Sequence, residues 1–213
     1  LKYANRKKNK FDSIFYLAHT SPKITKLSIN NNKFNFPTDK IIISFFGVIS
    51  KKKFDFTNLF RVVEQLNKIN IHFLICGDGD DLDDFKKLNI KNIDFLGWLN
   101  QDEICYVAKN SDYGLAHYNP TIDFQSSIPN KIIEYLSYGL PIIHCLKGYT
   151  KNFLCNLNID HYYEYNDFDS LKSIIIRTNK KEKINKTNII KEIFNDNFNA
   201  DNVYLDYLNQ VKK

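Results

Sequence analysis

The sequence predicts an α/β fold, a Rossmann-like parallel sheet with helices on both faces and a helical C-terminal tail. Three observations predict it. Short apolar runs alternate with amphipathic segments at least four times between Lys40 and Cys145. Those runs are short and mostly apolar, as strands buried on both faces are. Two of them, ending at Phe46 and Cys76, run directly into a glycine, the residue that lets a ligand approach the backbone at a strand end.

In chain order, Lys40 to Phe46 (KIIISFF) reads as a buried strand, followed by a helix from about Phe56 to Ile69. In that helix Leu59, Val62, Val63 and Leu66 recur at helical spacing. Ile71 to Cys76 is the next strand, Leu82 to Leu88 a helix and Ile93 to Leu96 a third strand. A helix near Asp102 to Lys109 leads to the strand Tyr113 to Tyr118. The helix within SSIPNKIIEYLSYGLPII (Ser126 to Ile143) follows, then the strand Pro141 to Cys145. Beyond Tyr165 the pattern turns helical, Asp167 to Ile176 and Asn188 to Val211, across a Lys- and Asn-rich junction at Thr178 to Lys186. Before Lys40 there is one strand-like run, Ser13 to Leu17, and a polar connection carrying Pro22, Asn30 to Asn32 and Pro37, which reads as a linker.

At 213 residues, with 43% hydrophobic and 25% charged side chains, the chain can bury a real core and does not have the composition of a disordered one. Thirty Lys and Arg against 24 Asp and Glu leave a net charge of +6. That balance suits phosphates, anionic lipid or nucleic acid, but the excess is Lys spread over the whole length, so no nucleic-acid partner is expected. The cysteines, Cys76, Cys105, Cys145 and Cys155, form no CxxC pair, which argues against a metal site or a disulfide framework and for a reducing, cytoplasmic compartment. No run of 18 apolar residues and no leader pattern occurs. The chain begins with Leu and contains no Met, so it is expected to be a piece of a longer product.

Ligands of open parallel sheets bind beyond the strand ends, and four loops there are distinctive. In FFGVISKKKFDF, Gly47 follows a strand and Lys51, Lys52 and Lys53 add charge; a solvated basic turn is the plain alternative. CGDGDDLDD, Cys76 to Asp84, has the acid density of a calcium loop but neither the spacing nor the terminal Glu of an EF-hand, so no metal is expected. In FLGWLNQDE, Gly97 follows a strand, and Trp98, the one Trp, either lies against a flat base or caps the core. The fourth loop, NPTIDFQSSIPNK, Asn119 to Lys131, enters a helix whose start has Ser126 or Ser127 as cap and Pro129 in the first turn. Its free N–H groups beside Asn130 and Lys131 suit an anion. Ile132, Ile133 and Leu136 would face the sheet. Glu134, one turn on from Asn130, is placed to accept hydrogen bonds from paired hydroxyls such as those of a ribose. Taken alone it would be a surface acid on an amphipathic helix.

Together FFGVISKKKFDF, LICGDG, IDFLGWL, SDYGLAHY and SSIPNKIIEYLSYGLPII resemble, in order and spacing from about Lys40 to Gly148, the C-terminal nucleotide-sugar-binding domain of retaining GT-B glycosyltransferases of the group 1, family 4 type. The resemblance implies three segments: residues 1–38 as the end of an N-terminal domain and its linker, 39–186 as the nucleotide-sugar domain, and 187–213 as a helical segment returning toward the N-terminal domain. It implies transfer of a sugar from a UDP- or GDP-sugar to an acceptor hydroxyl of a glycan or lipid-linked acceptor, with retention, in cell-surface polysaccharide or glycan synthesis. No metal or other cofactor is implied, and peripheral membrane contact would fall to the N-terminal domain. Residue by residue, Glu134 matches the family's ribose-binding Glu. Ser126 stands where a family carboxylate near the donor sugar is expected. Backbone N–H groups from Ser127 through Ile128 and Pro129 to Asn130 would hold the diphosphate. Gly97, Trp98 and Leu99 would border the base. The family's diphosphate Arg after Gly47 is replaced by Val48, leaving Lys51 to Lys53 as the candidate cations. A nucleotide-sugar 2-epimerase of the same fold, and a nucleotide-binding or interaction module without catalysis, are the competing readings.

Overall fold

The structure, a computed structural model, describes residues 18–22, 34, 36–66 and 69–211. The strand-like run Ser13 to Leu17 and the Asn30 to Asn32 connection lie outside the described residues. Six strands, β1 (Ile41–Phe46), β2 (Ile71–Cys76), β3 (Ile93–Gly97), β4 (Tyr113–Ala116), β5 (Ile142–His144) and β6 (Asp160–Tyr162), form one sheet in the order β3-β2-β1-β4-β5-β6. Every pairing is parallel. Its helices are α1 (Thr57–Gln65), α2 (Leu82–Lys86), α3 (Gln101–Asn110), α4 (Ile122–Ser126), α5 (Asn130–Tyr138), α6 (Gly148–Cys155), α7 (Phe168–Arg177), α8 (Lys180–Asn197) and α9 (Ala200–Val211). The expected α/β architecture is therefore the one observed.

The central strands earn their place by burial. All six residues of β2 and all but Ile41 of β1 are buried. A cluster of rings, Phe45 against Phe56 at 4.8 Å and Phe56 against Phe60 at 5.4 Å, glues α1 to the sheet. α3 is capped by Asn100, whose side chain accepts from Glu103 N while Glu103 accepts from Asn100 N, so the helix starts at Gln101, one residue before the sequence suggests.

Three elements escape sequence reading. α4 has no buried residue and hence no periodicity to detect; α6 buries only Thr150 and Leu154; and β6, Asp-His-Tyr, is a half-buried edge strand held by polar contacts. Two boundaries also differ. The junction expected at Thr178 to Lys186 is the first turns of α8, because Asn179 accepts from Glu182 N at 3.1 Å and caps the helix. The helix expected from Asn188 to Val211 breaks at buried Phe198, where His19 N donates to Phe198 O at 2.7 Å and Ala200 N donates to His19 O at 2.9 Å.

Glu182 shows why α8 docks where it does. Its carboxylate accepts from Tyr113 Oη (2.7 Å), His161 Nε2 (2.9 Å) and Lys186 Nζ (2.8 Å), tying helix to sheet. Despite burial, these donors hold the Glu182 carboxyl at about 2, below its ordinary 4.5. A depressed carboxyl contributes stability that is complete above pH 4.5 and is lost as pH falls toward 2. Glu182→Gln is expected to cost about 1 kcal/mol at neutral pH and to flatten that acid limb, measured by urea unfolding across the range.

α5 is set against β4 by Gly114. A Cβ there would meet the Tyr135 ring at 2.5 Å, and with none present Tyr135 Oη reaches Leu115 O at 2.7 Å. Gly139, in the left-handed region at φ 73°, ends the helix. α5 is thereby fixed in rotation and in length, which decides where Lys131 and Glu134 point.

Candidate nucleotide site at the strand ends

In this sheet order the crossovers run outward from β1 on one side and from β4 on the other, so the loops after β1 and β4 diverge and leave a crevice at their C-terminal ends. Its floor is backbone. Gly47, Gly77 and Gly97 lie side by side at φ 150°, 146° and 70°. Gly47 N donates to Cys76 O at 2.9 Å and Gly77 N to Gly97 O at 2.7 Å, extending the ladder beyond the strands. A Cβ on Gly77 would stand 1.8 Å from Gly47 O, so the two loops touch as only glycine allows.

Over this floor lies a cavity of about 250 Å³, walled by Phe46, Gly47, Val48, Trp98, Leu99 and Ile104. Trp98 is 71% exposed and Leu99 is buried, so Trp98 does not cap the core; its indole is offered to solvent at the cavity mouth. A second cavity of about 390 Å³ is lined by Glu134, Gln101, Ser137 and Tyr138 on one side and by residues 19–22 on the other. Both are of the size that holds parts of a nucleotide. Glu134 is half-buried. Burial pushes its carboxyl above the usual range, while Lys131 and His19 pull it back.

The start of α5 departs from expectation. Neither Ser126 nor Ser127 caps it: Ser126 is the last residue of α4, Ser127 Oγ donates to Asp123 O at 2.9 Å and Ser127 O accepts from Thr150 Oγ1 at 2.7 Å. The short helix α4, invisible in the sequence, claims both serines. Pro129 is the cap residue, extended at φ −64° and ψ 146°, and no side chain caps the helix. Proline has no N–H, so the row of donors expected from Ser127 to Asn130 is interrupted at Pro129. Ile128 is half-buried and Asn130 is exposed at the helix mouth.

Lys51 is spent elsewhere. Its Nζ lies 3.0 Å from Asp84 and 3.6 Å from Asp81, and its N donates to Asp81 Oδ2 at 2.7 Å. The basic and acidic segments are thus partners through Asp81 and Asp84. Lys52 and Lys53 are exposed. Lys131, on α5, is buried, with its Nζ 4.0 Å over the Phe45 ring.

The strand-end histidines are structural. His117 is stacked near Phe56 and Tyr165, accepts from Tyr163 Oη at Nδ1 (2.5 Å) and donates from Nε2 to Asp55 O (2.8 Å); burial lowers it to about 4, so it is neutral at physiological pH. His144 Nε2 pairs with Asp160 at 2.8 Å and Nδ1 accepts from Leu146 N at 3.2 Å. Among the described residues no three His, Cys, Asp or Glu side chains converge as metal ligands. No helix of the described residues is long and apolar enough to cross a membrane.

Sequence reasoning missed Tyr138, Gln101 and His19 as cavity walls. Tyr138, four residues after Glu134, shares its helix face and was within reach of the spacing argument; Gln101 Nε2 donates to its Oη at 3.0 Å. His19 had no such signal, because it arrives through its backbone pairing at Phe198 and Ala200.

Known folds agree with this architecture. Among solved structures, the chain is similar to a glycosyltransferase from Rickettsia africae ESF-5, with 16% identity and a TM-score of 0.67 over 84% of this chain and 49% of that one. It is also similar to the catalytic domain of cholesterol-alpha-glucosyltransferase from Helicobacter pylori (21% identity, TM-score 0.55, 72% of this chain and 96% of that one). A third similar structure is Anabaena Alr3699/HepE in complex with UDP and glucose (14% identity, TM-score 0.60, 82% and 49%). The chain spans about half the length of the first and third of these. No curated protein matches it in sequence. The family model described as Glycosyl transferases group 1 matches residues 40–154, more than half of the chain. This chain belongs to the Glycosyl transferases group 1 family.

Proposed function

We propose that this chain is the donor-binding, C-terminal part of a retaining glycosyltransferase that takes a sugar from UDP or GDP and passes it to a hydroxyl of a glycan or lipid-linked acceptor. The observation that carries the reading is the half-buried carboxylate of Glu134, which opens into a cavity one turn beyond the uncapped start of α5. The base lies against Trp98 and Leu99, the ribose hydroxyls donate to Glu134, and the phosphates meet the helix start. The HepE structure holding UDP and glucose supports this choice of ligand. In the transfer the bond from the anomeric carbon to the diphosphate oxygen breaks and a bond to the acceptor oxygen forms, the acceptor proton leaving with the diphosphate. The negative charge gathering on the diphosphate is stabilised by the helix N-terminus, its N–H groups and a lysine, without metal or cofactor.

Ser126 in place of the family carboxylate leaves the donor sugar without that acidic contact, so hydroxyl recognition rests more on neutral groups. The acceptor is held by an N-terminal domain, against which the exposed Tyr204, Leu205 and Leu208 of α9 pack. Such an enzyme would work on the cytoplasmic side, touching the membrane through that domain, in polysaccharide or glycan synthesis. Epimerisation is disfavoured by His117 and His144, both fully engaged in structural hydrogen bonds. Calorimetric titration with UDP and with GDP tests the reading. One of them is expected to bind this chain, and product formation is expected from the full-length protein with the matching donor. Binding of neither nucleotide would overturn it.

A further inference from the structure

Within this nucleotide reading, we infer that Lys131, and not the basic loop Lys51 to Lys53, supplies the cation that meets the phosphates of the donor. Three observations carry it. The loop is compromised: Lys51 is paired with Asp84 and Asp81, and the carbonyls of Lys51 and Lys52 are pinned by Asn119 Nδ2 at 2.7 and 3.1 Å. A nucleotide drawing Lys51 away would leave two carboxylates facing the same loop.

Lys131 is the reverse case. Only 7% of the residue is exposed, and its stem runs in the first turn of α5 between the helix start and Glu134. The ammonium ends 4.0 Å over the ring of Phe45 and 5.3 Å from that of Phe54. It abuts the crevice floor, since a Cβ on Gly47 would lie 2.5 Å from Nζ. Among the described residues neither hydrogen bond nor ion pair reaches Nζ. The one fully enclosed side-chain polar atom without a partner among them is His72 Nδ1, so Nζ keeps an opening to solvent.

A buried ammonium with its donors unspent is costly unless something pairs it. Burial lowers Lys131 to about 8, with the Glu134 carboxylate pulling upward. The other group facing it, the Cys76 thiol, is itself held neutral by burial. Among the described residues no hydrogen bond or ion pair joins Glu134 to Lys131, so its carboxylate acts on the ammonium only at a distance. A diphosphate at the start of α5 would satisfy the ammonium, and would meet it together with the helix dipole.

Lys131→Met keeps the unbranched stem over Phe45 and Phe54 and removes the charge. Calorimetry with UDP and UMP, and ligand-detected NMR with uridine, separate phosphate recognition from a general effect. The expected result is a loss of about 10- to 100-fold in UDP affinity, a smaller loss for UMP and an unchanged uridine signal. Thermal melting of the variant is expected at or above that of the parent, because a buried charge has gone. A triple Lys51→Met, Lys52→Met, Lys53→Met variant is expected to change UDP affinity by less than threefold or so. Equal losses for uridine and UDP in Lys131→Met, or unchanged UDP affinity there beside a large loss in the triple variant, would overturn the assignment. Failure of the parent chain to bind UDP or GDP would instead overturn the nucleotide reading beneath it.

Discussion

Gly77→Ala is expected to destabilise the protein by about 3 kcal/mol or more and to abolish nucleotide binding, the largest effect of any single substitution at the crevice. Two penalties coincide. At φ 146° an L side chain is strained, and its Cβ would stand 1.8 Å from Gly47 O, a backbone atom that can move only if the β1 loop moves. That loop is tied down by Gly47 N to Cys76 O and Ile49 N to Asp78 O, both at 2.9 Å, so displacement breaks the ladder beneath the cavity. Gly97→Ala is the control. Gly97 is also in the left-handed region, φ 70°, but its Cβ would meet nothing within 4 Å, so only about 1 kcal/mol of strain is expected. Urea unfolding and UDP calorimetry on the pair separate crowding from strain; equal losses would show that the loop contact matters less than the geometry implies.

Glu134→Ala is expected to weaken UDP binding by about 1–3 kcal/mol, the scale of hydrogen bonds to a charged acceptor. Its effect on folding should be small or favourable, because burial already raises the carboxyl and the deletion removes an ionised group from a half-buried position. The sign of the pH dependence follows. The ribose contact needs the carboxylate, so affinity should fall as pH drops through the raised value, a fall that begins above the ordinary 4.5 and is absent from Glu134→Ala. Calorimetry over that range reads it directly. An alanine variant binding UDP as tightly as the parent would remove Glu134 from the ribose role while leaving the crevice in place.

Much of this molecule was legible in one dimension because its physics is local. Strands such as IIISFF and IHFLIC are buried on both faces and hence apolar apart from Ser44 and His72. The core face of α1 repeats at helical spacing, and Gly47 and Gly97 mark strand ends. The elements that were illegible bury little or depend on distant partners. α4 has no core residue, β6 is an edge strand of polar side chains, and α8 starts where Asn179, Glu182 and the Tyr113 hydroxyl meet.

The parallel α/β class, the crevice loops and the position of Glu134 on α5 are legible in one dimension, since each follows from periodicity, glycine placement or spacing within one element. Tertiary structure alone decided how the charges are used. Asp81 and Asp84, at the start of α2, claim Lys51 of the β1 loop, Ser126 ends the short helix α4 while Ser127 Oγ bonds back to Asp123 O, and Lys131 turns inward over Phe45 against Gly47. Which lysine is free for a phosphate is a question of who its neighbours are, and those neighbours lie 30 to 86 residues away in the chain.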